Sequence, residues 1–189
     1  MKKEQLRIIY KDKRKNISDS DIEKFNDLIL INFQKINLDF IQCVHTYLPS
    51  LKLREPDTAP IIRFLEFKNP GLKVAVPRID IRAGEMYHIH FDDESPVICN
   101  ALGINEPSEG AIIPENEIDL VLIPLLAFDK NGFRAGYGKG YYDRFLARCR
   151  KDVFKIGLSF FEPVDEIEDI DQFDISLNYC VTPEKLYTF

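Results

Sequence analysis

The sequence predicts an α/β fold in which a mainly parallel, twisted sheet carries helices on both faces. Three observations indicate this architecture. Segments with strand character alternate with amphipathic segments at helical spacing, as in parallel sheets flanked by helices. Residues 120–128 form an almost continuous apolar run, which suits a central strand covered on both faces. A glycine-dense loop and a further helical segment follow that run.

The chain begins with two predicted helices. Residues 3–15 place apolar side chains at helical spacing among charged neighbours. Ser20 and Glu23 match a capping box, which predicts that a second helix starts there and continues to Phe33. Residues 43–48 then predict a short strand that ends at the following proline.

The middle of the chain alternates between helix and strand signals. Residues 57–67 are amphipathic and predict a helix, which an Asn-Pro-Gly breaker ends. Residues 73–76 predict a short strand stopped by Pro77, and residues 86–91 predict another. Residues 92–117 are rich in turn-forming residues and predict a long surface connection.

The last third of the chain supplies the rest of the predicted sheet. The apolar run should end as a strand near Pro124, because proline cannot donate to a strand ladder. The glycine loop at 132–140 and a helix at 141–150 follow, and strands are predicted at 154–160 and 179–182. This order indicates a Rossmann-like layered fold.

Length and charge limit the class of protein. The 189 residues, of which 45% are hydrophobic, fit one domain spanning 1–189 with a sizeable core. A net charge of -6 disfavours a general nucleic-acid binder. No apolar run reaches the ~18 residues of a membrane span, and the first residues lack the apolar core of a secretory signal. We therefore expect a cytoplasmic protein without nucleic-acid or membrane partners. We also expect it to be a monomer, although neither length nor charge determines the oligomeric state.

The cysteines and histidines give little sign of a metal site. The four cysteines are far apart and form no C-x-x-C pair, so a zinc site is not predicted. His88 and His90 lie two residues apart with no third ligand nearby in sequence, and they are interpreted as ordinary strand residues.

The two ends of the chain differ in charge. Residues 1–15 carry seven basic and two acidic side chains, whereas residues 162–174 carry seven acidic and no basic ones. Such charge runs are usually solvated faces, and this interpretation is favoured at first. The alternative is a basic arm for an anionic ligand and an acidic turn for a divalent cation.

The glycine loop is the most informative segment. Its glycines permit backbone N–H groups to converge on an anion, and Arg134 and Lys139 add full positive charges. The loop is not a P-loop, because Lys139 is followed by glycine rather than Ser or Thr. It is not a dinucleotide fingerprint either, since Tyr141 occupies the place of the third glycine. The loop therefore predicts an anion site of another kind.

Residues 118–146 (IDLVLIPLLAFDKNGFRAGYGKGYYDRFL) closely resemble the signature of the 5-formyltetrahydrofolate cyclo-ligase family. Lys-x-x-Leu-Arg at 3–7, Tyr-Leu-Pro at 47–49 and Val-Pro-Arg at 76–78 extend the resemblance along the chain. One departure is Leu125, where the family usually has glycine; a side chain there is expected to narrow the pocket. The resemblance implies an ATP- and Mg2+-dependent conversion of 5-formyltetrahydrofolate to 5,10-methenyltetrahydrofolate, with release of ADP and phosphate.

The resemblance also implies roles for individual residues. Catalysis is expected of Arg134, Lys139 and Tyr141. ATP contacts are expected from Lys3, Arg7, Arg134, Gly136, Tyr137, Gly138, Lys139, Gly140, Tyr141 and Tyr142. Folate contacts are expected from Leu48, Glu55, Tyr137, Gly138, Lys139, Gly140 and Tyr141. Mg2+ is expected at Asp143 and Asp174.

Two other functions are compatible with the residues alone. One is a non-catalytic nucleotide- or folate-binding module that retains the loop without turnover. The other is a sugar-phosphate isomerase of similar architecture, which would use the glycines for a substrate phosphate and need no ATP.

Overall fold

The computed structural model describes residues 1–101 and 103–189. Within them the chain forms four α-helices, eleven strands and a 3-10 turn at Glu115–Glu117. The helices are α1 (Lys3–Lys15), α2 (Asp19–Phe33), α3 (Ala59–Lys68) and α4 (Tyr141–Leu146). The strands are β1 (Cys43–His45), β2 (Lys73–Asp80), β3 (Glu85–His90), β4 (Val97–Cys99), β5 (Asn105–Pro107), β6 (Leu120–Pro124), β7 (Ala127–Phe128), β8 (Arg134–Ala135), β9 (Phe154–Leu158), β10 (Tyr179–Val181) and β11 (Leu186–Thr188).

Seven strands form the central sheet in the order β11-β10-β9-β6-β1-β2-β3. The five interior strands are parallel, and the two edge strands β11 and β3 pair antiparallel to their neighbours. The chain runs from β1 outward to β2 and β3, and β6, β9, β10 and β11 are then added on the other side of β1. The strand order therefore reverses between β1 and β6, which is where open α/β sheets form a crevice at the carboxyl ends of the strands.

Both faces of the sheet are covered, which confirms the predicted α/β fold. On one face α2 and α3 bury Phe33 and Leu65 against sheet residues that include Val44 and Leu120. On the other face α4 buries Phe145 beside Val121 and Ile123. Because alternate residues of each strand point to opposite faces, the same apolar run serves both cores.

Helix α1 lies outside the sheet and covers the hairpin formed by β7 and β8. Leu6 and Tyr10 are buried against Leu126, Ala127 and Ala135 of this hairpin. Strand β8 of this hairpin lies within the glycine loop at 132–140. The apolar face of α1 therefore determines which of its basic residues reach that loop.

Two predicted boundaries in the first half of the chain were wrong. Helix α2 begins at Asp19, and its cap is Ser18, whose Oγ accepts a hydrogen bond of 3.1 Å from the Asp21 amide. Ser20 lies inside the helix and cannot cap it. Strand β2 does not stop at Pro77 but continues to Asp80. The backbone groups of Lys73 and Ala75 face β1, and because every second residue of a strand faces the same neighbour, the nitrogen of Pro77 faces β1 as well. Strand β1 has already ended at this level, so the missing N–H of Pro77 costs the sheet no hydrogen bond.

The predicted surface connection at 92–117 has more structure than expected. It contains the β4–β5 hairpin, fastened to the sheet by Glu106, whose buried carboxylate accepts a 3.0 Å hydrogen bond from the Ile79 amide. Leu102 lies outside the described residues. The helix predicted at 141–150 ends at Leu146, and β11 was not predicted. None of the described helices is long and apolar enough to cross a membrane.

Candidate active site

A cavity of about 940 Å³ opens at the point where the strand order reverses. Tyr47 and Leu48, which follow β1, and Pro124, which ends β6, line its floor. Every site residue expected from the sequence lines this one cavity: Lys3, Arg7, Leu48, Glu55, Arg134, Gly136, Tyr137, Gly138, Lys139, Gly140, Tyr141, Tyr142, Asp143 and Asp174.

The glycine loop is held by an arginine of α1. Arg7 Nε donates a 2.9 Å hydrogen bond to the carbonyl oxygen of Gly136. Gly138 has a φ of 91°, and a Cβ at this position would lie 3.2 Å from Arg7 Cζ. The left-handed backbone favours glycine here, and a Cβ would also require the Arg7 guanidinium to shift slightly. Lys139 is exposed; its carbonyl oxygen accepts a 3.1 Å hydrogen bond from Arg144 Nη1, but its ammonium group makes no polar contact with the described residues.

Two cation–carboxylate pairs form the side of the cavity next to the loop. Lys3 Nζ contacts Asp174 Oδ2, and both side chains are mostly buried. Arg134 Nη2 lies 2.6 Å from Asp143 Oδ1, and its Nη1 donates to the carbonyl oxygen of Ile175. These contacts join the first helix, the hairpin and the acidic C-terminal turn. Lys3 of the basic run and Asp174 of the acidic run therefore meet at the cavity, whereas most other charged side chains of the two runs are exposed.

The two carboxylates expected to bind metal each keep one oxygen available. Asp143 Oδ1 accepts from Arg134 and from the Ile175 amide, and Asp174 Oδ2 accepts from Lys3 and the Asp171 amide. The described residues donate no hydrogen bond to the other oxygen of either group, and they contain no cluster of three or more His, Cys, Asp or Glu suited to a metal. Two carboxylate oxygens together with phosphate oxygens and water match the ligand preference of Mg2+.

The opposite side of the cavity is mainly apolar and carries one fixed carboxylate. The Tyr137 hydroxyl donates a 2.6 Å hydrogen bond to Glu55 Oε1, and the Ser50 amide donates a 2.9 Å bond to Oε2. Burial and the negative charge of Glu55 both raise the pKa of Tyr137, so the phenol stays protonated and can donate. The apolar lining here consists of Leu48, Leu53, Pro77, Ile79, Met86 and Ile104.

Two adjacent tyrosines at the start of α4 differ in their surroundings. Tyr141 is half-buried, with the Arg144 guanidinium 5.1 Å from its ring centre. Tyr142 also lines the cavity, but its hydroxyl oxygen is buried and has no hydrogen-bond partner among the described residues. Burial raises the pKa of Tyr142, so this hydroxyl stays protonated.

A buried pair of histidines lies beneath α4. The ring centres of His45 and His88 are 4.9 Å apart, and His88 lies 4.0 Å from the Phe145 ring. The ring nitrogens of both histidines lack hydrogen-bond partners among the described residues. The Glu115 carboxylate is 3.7 Å from His88 Nε2, too far for a hydrogen bond. His88 is therefore a core residue packed against a second histidine from β1, a contact that sequence spacing did not predict.

Leu125 does not narrow the cavity as expected. Its side chain is buried and occupies space left by another glycine, because a Cβ on Gly157 would lie 2.5 Å from Leu125 Cδ2. The leucine thus faces the core, and only its neighbour Pro124 lines the cavity. The Leu125 side chain therefore fits in the core because Gly157 on β9 has no side chain.

Sequence reasoning missed Arg14, Asp171 and Phe173. Asp171 and Phe173 line the cavity beside Asp174. Arg14 is buried behind Tyr137, outside the cavity. Its position, seven residues after Arg7 on an α-helix, was the available signal, because residues seven apart share a helix face.

Known proteins are similar to this chain over most of its length. The sequence profile of the 5-formyltetrahydrofolate cyclo-ligase family matches residues 1–183. A probable 5-formyltetrahydrofolate cyclo-ligase of Schizosaccharomyces pombe is 31% identical, over 98% of this chain and 97% of its own. The 5-formyltetrahydrofolate cyclo-ligase of Escherichia coli is 30% identical, over 70% of this chain and 74% of its own.

A solved structure agrees with these sequence matches. The 5,10-methenyltetrahydrofolate synthetase of Aquifex aeolicus superposes with a TM-score of 0.80 at 27% identity, covering 100% of this chain and 93% of that one. The profile match, the two relatives and the fold all indicate the same family. The chain belongs to the 5-formyltetrahydrofolate cyclo-ligase family and is an enzyme of the ligase class.

Proposed function

We propose that this enzyme closes 5-formyltetrahydrofolate to 5,10-methenyltetrahydrofolate at the expense of ATP, with Mg2+. The observation that carries the proposal is the two-sided cavity. One side offers glycine-loop amides and cations to a polyphosphate, and the other offers apolar surface and the Glu55 carboxylate to a heterocycle. Because both sides belong to one continuous space, a phosphoryl group can pass directly between two bound substrates.

The reaction needs activation because a formyl oxygen bonded through an amide-like carbon is a poor leaving group. In the proposed first step this oxygen bonds to the γ-phosphorus of ATP while the bond from phosphorus to the β–γ bridging oxygen breaks, releasing ADP. The N10 lone pair then attacks the formyl carbon and N10 loses its proton. Cleavage of the carbon–oxygen bond expels phosphate and leaves the N5–C–N10 bridge of the product.

The phosphate side depends on positioning and charge. Lys3, Arg7 and Lys139 are the cations proposed for the phosphate oxygens, and Arg134 and Tyr141 complete the reacting region. Phosphoryl transfer depends chiefly on such alignment and charge neutralisation. Arg134 already holds Asp143, so we propose that it acts while keeping that carboxylate in place.

The metal would be held by Asp143 and Asp174 together with phosphate oxygens. When bound there, Mg2+ would offset the negative charge of the polyphosphate. Lys3 and Arg134 keep each carboxylate oriented toward the cavity by engaging one of its two oxygens.

The folate side depends on Glu55 and its neighbours. A carboxylate held at both oxygens presents its remaining lone pairs in a fixed direction, which suits the N–H groups of a pterin. Leu48 would pack on the ring, and Tyr137 would contact both substrates from the loop.

We further propose that residues 1–189 form one domain and that the enzyme is a cytoplasmic monomer.

The deciding experiment mixes the protein with 5-formyltetrahydrofolate, ATP and Mg2+ and records the near-ultraviolet absorbance of the methenyl product. We expect product only when all three are present, with one ADP per product. Binding of both ligands without product would favour the binding module. Conversion of a sugar phosphate without ATP would favour the isomerase.

A further inference from the structure

Arg14 is a buried cation that forms no ion pair with a carboxylate of the described residues. Its side chain is 2% exposed, although it lies in the last turn of α1. Among residues 1–101 and 103–189 it donates to the Tyr137 hydroxyl and to the Leu125 carbonyl oxygen, and its Nε has no partner. A buried guanidinium is unfavourable unless its charge and its donors are used. Its contacts therefore indicate what it does.

The contacts of Arg14 lead to the folate side of the cavity. Arg14 Nη1 lies 3.0 Å from Tyr137 Oη, and that hydroxyl donates a 2.6 Å hydrogen bond to Glu55 Oε1. Because guanidinium has only donors, the tyrosine oxygen must accept from it and the tyrosine proton must point to Glu55. Arg14 therefore determines the direction of both hydrogen bonds, from Arg14 to Tyr137 and from Tyr137 to Glu55.

Helix α1 divides its basic residues between the two substrates. Lys3, Arg7 and Arg14 are four and seven residues apart, so they share one face of the helix. The first two reach Asp174 and Gly136 on the phosphate side, while Arg14 reaches Tyr137 from behind.

We propose that Arg14 is a positioning residue for folate recognition. It orients the Tyr137 hydroxyl, which in turn holds the Glu55 carboxylate toward the bound heterocycle. Arg14 itself touches neither substrate. This inference rests on the proposed function and adds a residue to it.

The test measures the KM for 5-formyltetrahydrofolate and the KM for ATP separately. Arg14→Met is expected to raise the folate KM about tenfold or more, the effect of losing a hydrogen bond to a charged group, with less than a twofold change for ATP. Arg14→Lys keeps the charge but not the planar fork, so it should recover part of the loss. Lys15→Met removes an exposed cation from the same helix and should change neither constant.

A double-mutant cycle then separates positioning from general stability. If Arg14 acts through the tyrosine, adding Arg14→Met to Tyr137→Phe should raise the folate KM no further. If the effects of the two substitutions on the folate KM multiply, or if Arg14→Met raises the folate KM and the ATP KM equally, the inference is overturned. Should Arg14→Met fail to fold, the cycle is run with Arg14→Lys. A wild-type protein that makes no methenyl product would instead overturn the proposed function, and this inference with it.

Discussion

The buried pair of histidines predicts that the fold loses stability at mildly acidic pH. Burial lowers the pKa of His88 from 6.5 to about 4, and the nearby Glu115 carboxylate only partly opposes this shift. Burial and the proximity of His88 lower the pKa of His45 as well. The unfolded chain therefore binds protons at these two histidines more tightly than the folded chain does. The free energy of unfolding is not reduced by them above pH 6.5, and it falls as the pH drops from 6.5 toward 4.

The size of the loss follows from the His88 shift. A difference of about 2.5 pKa units corresponds to about 3 kcal/mol once the pH is below both values, and to about 2 kcal/mol near pH 5. His45 adds to the loss in the same direction. This is a large share of the roughly 5–15 kcal/mol that stabilises a typical domain.

Urea unfolding followed by far-ultraviolet circular dichroism at about pH 7.5 and about pH 5 measures the effect, since the chain contains no tryptophan. The variant His88→Phe should lose about 2 kcal/mol less than the wild type on acidification. His90→Phe, on the same strand but with a half-exposed side chain, is the matched control and should behave as the wild type. Equal losses in wild type and His88→Phe would refute the reasoning.

Three further predictions concern the cavity. Asp143→Asn should raise the Mg2+ concentration needed for half-maximal turnover about 10- to 100-fold. The control Asp165→Asn, at an exposed carboxylate, should leave this concentration unchanged. If Asp143→Asn also leaves it unchanged, Asp143 does not bind the metal. Lys3→Ala should raise the ATP KM about tenfold and leave the folate KM nearly unchanged, and parallel loss of both would argue against separate substrate sides. Gly138→Ala and Gly71→Ala both place a side chain at a positive φ, so each should lower the free energy of unfolding in urea by about 1 kcal/mol. Only Gly138→Ala should also weaken ATP binding, measured by calorimetry.

The local features of the site could be predicted from the sequence because they depend on local chemistry. Gly132, Gly138 and Gly140 have positive φ angles that other residues rarely adopt, and the cations among these glycines predict an anion site. The apolar run at 120–128 identified the central strand for a similar reason, since burial on both faces excludes polar side chains.

Contacts between distant segments could not be predicted in this way. Lys3 and Asp174 are 171 residues apart, and only the fold brings them together. The same holds for His45 and His88, which come from different strands. Pro77 misled the prediction because a proline ends a strand only when its nitrogen faces a paired neighbour, and that depends on where β1 stops.

The ion pair between Lys3 and Asp174 has a consequence for the order in which the fold forms. The two residues are 171 positions apart, so their contact closes a very long loop of chain. The entropic cost of closing a loop grows with its length, and contacts between distant segments are gained only after that cost has been met. We therefore expect this wall of the cavity to be completed late in folding, after the sheet that lies between the two residues in the chain has assembled.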